Sequence, residues 1–189
     1  MDRKKIAVGA GTLVSLLISL QGCHLGPLPP TPDLGGTFIA HSADIQVDEN
    51  TVAEIMSAFK RTEEAVRHRD LDGVMALYTE GYKHRGFTKD TIRTVWKNLF
   101  ETHHDFSGSH IFTRIKVLPE RTPKTVMITC TGSLWAVSNE TGQRENIDSW
   151  YGEVHYLEYS DSGWRIAGHA WEVLMPKETR FAPPPHPFF

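Results

Sequence analysis

The chain has 189 residues, 40% hydrophobic and 23% charged, the composition of an ordinary globular domain, which excludes wholesale disorder. Its formal net charge of −3 offers no basic excess to neutralise a phosphate backbone and argues against a dedicated nucleic-acid binder. Two cysteines are too few for a disulfide-rich scaffold or a Cys-based zinc site.

The amino terminus reads as an address and an anchor. Met1-Asp2-Arg3-Lys4-Lys5 is a short basic segment, and an apolar run follows from Ile6 to Leu20. Such a run reaches only about 22 Å as a helix, short of a bilayer core of about 30 Å. Length and positive flank fit a signal peptide over residues 1–22. It ends Leu20-Gln21-Gly22-Cys23, which resembles a bacterial lipobox, so the expectation is lipidation of Cys23. Acyl chains at about 0.8 kcal/mol per buried CH₂ would anchor the protein stably. His24 stands where Asp would resemble an inner-membrane retention signal, so the outer membrane is favoured if the host has two membranes. The mature chain loses three of its 20 basic residues and one of its 23 acidic ones, leaving −5 and no polybasic attraction to lipid.

Prolines 27, 29, 30 and 32 make residues 23–48 a lipidated Cys and Pro-rich linker, extended enough to hold a domain off the membrane. The domain itself is expected over 49–175. Thr51-Val-Ala-Glu54 has capping-box spacing, and Val52, Ile55, Met56, Phe59 and Val66 form the stripe of a helix running to about Arg69. Asp70-Leu-Asp-Gly73 restarts a short helix, and Tyr82–Gly86 reads as a short extended piece. Thr88 caps a third helix with Ile92, Val95, Trp96, Leu99 and Phe100 on one face. His103-His104-Asp105 falls at its end, where capping is the expected role. The period then changes to two. Strands are expected over 109–118 (through Ile111, Thr113, Ile115 and Val117), 125–137, 146–159 and 164–174, separated by turns at 119–123, 139–142 and 161–163. Cys130, without a partner once Cys23 is lipidated, is expected to be a small buried residue on a strand. Residues 176–189 read as a Pro-rich irregular tail, loosely packed. Helices followed by an antiparallel meander make an α+β plan.

The order of these elements resembles the nuclear transport factor 2-like superfamily, which includes ketosteroid isomerases and polyketide (SnoaL-like) cyclases. The matching features are Arg69-Asp-Leu-Asp-Gly-Val-Met-Ala-Leu-Tyr78 after a first helix, Thr88 opening the third, and the closing Gly163-Trp-Arg-Ile166. The resemblance implies a cone: a strongly curved antiparallel sheet wrapped round three N-terminal helices, with a pocket at its open end and homodimers formed through the outer sheet face. It also places the isomerases' oxyanion-stabilising tyrosine at Thr62, their carboxylate base at Gly86 and their second, protonated acid at His155. Gly86 cannot abstract a proton, so ketosteroid isomerisation is disfavoured.

If His155 faces inward, strict alternation also turns Tyr151, Glu153, Leu157 and Tyr159 inward, and Ile166, Gly168, Ala170 and Glu172 on the last strand. Tyr82 and His84 would enter from the short extended piece, and Trp96 and Phe100 from the third helix. The candidate ligand-binding set is therefore Tyr82, His84, Trp96, Phe100, Tyr151, His155 and Glu172, an aromatic pocket with a few polar groups; packing of the same rings as plain core is the alternative. His155, Glu153 and His84 are the candidate acid–base residues. His84, Glu153, His155 and Glu172 have donor types that suit a divalent ion, but their spacing is not diagnostic and no metal or other cofactor is assigned. His169, Trp171 and Trp150 fall on the opposite face, as a dimer surface or a patch under the linker. Three functions remain open: an envelope lipoprotein binding a small, largely apolar ligand or a partner protein; an isomerase, cyclase or dehydratase using pocket His and Glu; and a structural dimerisation module.

Overall fold

The structure, a computed structural model, describes residues 35–171 and Phe188. Cys23, the Pro-rich segment, Glu172 and the tail up to residue 187 lie outside the described residues. No helix of the described residues is long and apolar enough to cross a membrane.

Strand β1, Gly36–Gln46, comes first, in a stretch expected to be linker. Helices α1 (Glu49–His68), α2 (Leu71–Met75) and α3 (Lys89–Thr102) follow, with a two-stranded hairpin, β2 (Lys83–His84) and β3 (Phe87–Thr88), before α3. Strands β4 (His103–Leu118), β5 (Thr125–Ser138), β6 (Arg144–Ser160) and β7 (Gly163–Trp171) complete the order. The main sheet runs β1-β4-β5-β6-β7, with β1 parallel to β4 and the remaining pairs antiparallel. The α+β plan of the sequence is therefore the plan observed. The sheet stays open with β1 and β7 as edges and does not curl strongly, so the cone is not confirmed.

Local chemistry explains the helix ends. Asp48, rather than Thr51, caps α1: its carboxylate accepts from the Thr51 N–H and hydroxyl, both at 2.8 Å. Glu54, expected to complete a capping box, instead accepts from the Trp164 indole at 3.0 Å and pins the helix to β7. Arg69 closes α1 in the left-handed region, its N–H returning to Ala65 and Val66. Thr88 caps α3 in a reciprocal pair with Thr91. His103 is the C-cap residue of α3, donating its N–H to the Leu99 carbonyl, while His104 and Asp105 belong to β4.

The helices bury one face against the sheet. Ile55, Phe59 and Val66 from α1 and Ile92, Trp96 and Phe100 from α3 meet Phe112, Ile115, Ile128, Leu157 and Ile166. Phe59 packs edge-on to Phe112 with centroids 4.9 Å apart. Phe188 at the carboxyl end is buried edge-on against Trp96 at 5.0 Å, so this residue of the tail docks on its own domain rather than packing loosely.

Single extra residues break the alternation of the antiparallel strands at five places, three of which bear on the site. Thr113 is the extra residue between Phe112 and Arg114. Tyr151 and Gly152 oppose Thr131 alone, with Gly152 at φ 65 and its N–H on the Thr131 hydroxyl at 3.3 Å. Ala167 is extra between the Leu157–Ile166 and Tyr156–Gly168 pairs. Each bulge exchanges the inner and outer faces beyond it.

Candidate functional site

The bulges assemble a buried polar group that strict alternation does not. Tyr151 points outward and is 86% exposed, contrary to its expected place in the pocket, while Trp150 turns inward and is buried. On β7 the same effect brings His169 inside, opposite His155 on β6. Glu153, His155 and Leu157 do face inward as expected, whereas Tyr159 is 43% exposed. On β4 the inward residues before the bulge are His110 and Phe112, not Ile111 and Thr113.

Four imidazoles form a row through the interior. His84 and His169 lie with centroids 4.7 Å apart and a 31° tilt. His169 and His155 are 4.3 Å apart at 82°, and His155 and His110 are 6.0 Å apart at 64°. All four are buried. Cys130 Sγ sits 2.9 Å from His155 Nε2 in a hydrogen bond, and Cys130 is the buried strand cysteine expected. Glu153 Oε1 lies 3.5 Å from His169 Nδ1, and the Tyr82 hydroxyl lies 3.3 Å from His169 Nε2. The donor atoms of His84, Glu153 and His169 fall within 4.8 Å of one another, as do those of His110, Cys130 and His155.

Burial sets the protonation states. It pushes the Glu153 carboxyl up to about 7, with Arg85 pulling it down and Asp148 adding to the rise. It also pushes the Tyr82 phenol and the Cys130 thiol upward, so both keep their protons at neutral pH. Such a row can hold or pass a proton, or ligate a cation.

Two local features place His84. It arrives on the β2–β3 hairpin, whose turn places Arg85 at φ 46 and Gly86 at φ 93. The hairpin lies on β7 because Gly168 has no side chain: a Cβ there would stand 2.7 Å from the Lys83 carbonyl oxygen. Gly86 is thus a turn residue, and the Thr62 hydroxyl donates to the Ala58 carbonyl at 3.1 Å. Neither position supplies the isomerase groups.

A separate cavity of about 310 Å³ opens between α1 and the first half of β4. Val66, Phe106, Leu134 and Trp150 form its apolar wall; Glu63, Ser107, Ser109, Ser133 and His110 give it polarity. His110 joins cavity to row, packing against Trp150 at 4.8 Å. Glu63 accepts a hydrogen bond from the Thr37 hydroxyl, and burial raises its carboxyl above the ordinary range. Of the expected pocket residues that are described, none lines this cavity. Tyr82, Trp96 and Phe100 are core instead: Tyr82 packs edge-on to Tyr78, and Trp96 and Phe100 pack on each other and on Phe106. Of the expected acid–base set, His84 and Glu153 come together around His169, while His155 groups with His110 and Cys130. Missed were His110, Cys130 as its neighbour, and His169, because period two was carried through positions where the backbone bulges.

The fold so defined is a five-stranded mixed sheet with its helices on one face and two polar regions between them. It is shared with solved structures. A conserved protein from Planctomyces limnophilus is 16% identical, with a TM-score of 0.54 over 65% of this chain and 94% of that one. A putative aromatic ring hydroxylase from Novosphingobium aromaticivorans is 18% identical, with a TM-score of 0.51 over 69% and 94%. A ketosteroid isomerase-like protein from Erwinia carotovora atroseptica is 21% identical, with a TM-score of 0.47 over 65% and 95%. At 16% and 18% identity, the likeness to the first two is one of fold alone. No family model matches the chain, and no curated protein does. One fold of this kind hosts many activities, so function rests on the site.

Proposed function

We propose that the domain binds one small, largely apolar molecule in the cavity between α1 and β4, and that a lipid on Cys23 holds the domain at the bacterial envelope. The cavity carries the reading. Its volume of about 310 Å³ lies at the lower end of ligand pockets, roughly 300–1,000 Å³. Val66, Phe106, Leu134 and Trp150 suit an apolar body, and the serines, Glu63 and His110 suit one or two polar groups on it. The lipobox-like Leu20-Gln21-Gly22-Cys23 and the Pro-rich segment after it support the anchor.

Extraction of the purified chain followed by mass spectrometry is expected to return one enriched small molecule at near-equimolar amount. Leu134→Trp, which fills the cavity, is expected to lose it. No enriched molecule, or equal retention by Leu134→Trp, refutes the binding proposal. Incorporation of a labelled fatty-acid analogue is expected in the wild type and not in Cys23→Ser; label that persists in the variant refutes the anchor.

A further inference from the structure

Three side chains that do not line the cavity share one small volume: His84 from the hairpin, Glu153 from β6 and His169 from β7. They are 4%, 6% and 9% exposed. A carboxylate this buried is stable when it is paired or when it coordinates a metal. Two imidazoles and one carboxylate are a donor set for a divalent transition ion. Magnesium and calcium, which take oxygen donors, do not match it.

The geometry fits in detail. Bonds of about 2.0–2.2 Å place tetrahedral neighbours about 3.4 Å apart. His169 Nδ1 and Glu153 Oε1 are already 3.5 Å apart, and all three donors fall within 4.8 Å. The remaining approach, at most about 1.4 Å, falls to His84, which sits on a two-residue strand beside a turn rather than inside the main sheet. Orientation is supplied as well. The Tyr82 hydroxyl and His169 Nε2 lie 3.3 Å apart, and a proton held on Nε2 toward the phenol oxygen would leave Nδ1 as the lone-pair donor beside Glu153. A second hydrogen bond that fixes a ligand's tautomer is a recurrent feature of metal-binding histidines.

We propose that His84, Glu153 and His169 bind one divalent transition-metal ion of the zinc type, oriented by Tyr82. The neighbouring group of His110, Cys130 and His155 is the competing location. There Cys130 Sγ and His155 Nε2 already pair with each other at 2.9 Å. The proposal is independent of the cavity, because none of the three ligands lines it.

The test uses the full chain stripped of metal with a chelator. Calorimetric titration with Zn²⁺ alone is expected to show one saturable equivalent per chain. Co²⁺ alone is expected to give the visible absorption of a nitrogen- and oxygen-ligated ion, with no thiolate charge-transfer band. Glu153→Gln keeps the shape of the side chain and is expected to weaken Zn²⁺ binding by about 100-fold or more, beyond the roughly 10–100-fold effect of losing an outer partner. Cys130→Ser is expected to bind as the wild type does. Should Glu153→Gln fail to fold, His84→Asn, on the hairpin, gives the same comparison. No saturable Zn²⁺ binding by the wild type overturns the proposal. So does equal affinity in Glu153→Gln or His84→Asn, or a thiolate band lost in Cys130→Ser.

Discussion

Replacing Gly132 by alanine tests how the sheet turns Trp150 into the cavity wall. Gly132 pairs with His110 on β4 and with Trp150 on β6. A Cβ at this position would stand 2.2 Å from the Ser109 carbonyl oxygen and 2.5 Å from Cζ2 of Trp150. Ordinary contact begins near 3.4 Å, so β4 and β5 would have to part by about 1.2 Å or Trp150 would have to leave its place. The closest atom belongs to a hydrogen-bonded strand and not to the end of a flexible side chain, so relief is expensive. Overpacking a tight interior costs about 1–3 kcal/mol, and this contact belongs at the upper end. Removing glycine's chain entropy returns at most about 1 kcal/mol. A net loss of about 2 kcal/mol would lower the melting temperature by about 6 °C at roughly 3 °C per kcal/mol. The assay is urea unfolding followed by far-UV circular dichroism, with tryptophan emission reporting on Trp150. Gly108→Ala is the control: its Cβ would meet the Ser133 carbonyl oxygen at 3.3 Å and Leu134 Cδ1 at 3.8 Å, a strain of a few tenths of an ångström. It should change stability by less than about 1 kcal/mol. Gly132→Ala within about 0.5 kcal/mol of the wild type, or no worse than Gly108→Ala, would refute the packing argument.

Two further outcomes are expected. Gly168→Ala sets a Cβ 2.7 Å from the Lys83 carbonyl oxygen, so the hairpin must withdraw by about 0.7 Å and take His84 with it. Zn²⁺ affinity should fall by about tenfold or more while stability falls by only about 1 kcal/mol, because a two-residue hairpin yields readily; unchanged affinity in the folded variant would count against the placement of His84. Glu63 has a folded-state pKa raised by burial, so between the ordinary carboxylate value of about 4.3 and the raised one the folded chain binds more protons than the unfolded chain. Stability should therefore fall as pH rises through that window. Glu63→Gln, which still accepts from Thr37, should lose this dependence, and a variant-minus-wild-type difference that is flat with pH would contradict the assignment.

Much of this protein is written in local patterns. The caps at Thr88 and Asp70, the apolar stripes of α1 and α3 and the β-branched runs between turn residues are short-range signals, and they locate three helices and four strands, although β4 begins at His103 rather than at 109. Local polarity also marks His84, Glu153 and His155 as groups out of place in an apolar interior, and all three are buried. The rest depended on contacts between distant segments. Strand β1 carries polar residues such as His41, Ser42 and Asp44 and follows a Pro-rich stretch, and it becomes a strand only because β4 offers its free edge. The places of Tyr151, Trp150 and His169 depend on extra residues at Gly152 and Ala167. A period of two carries no mark of where one residue will be skipped, and a single skip exchanges the two faces of everything beyond it. The hairpin seat at Gly168 needs knowledge of which backbone approaches it. The chain alone therefore determined the elements and the chemistry available, and the pairing of strands in three dimensions decided which of those groups meet.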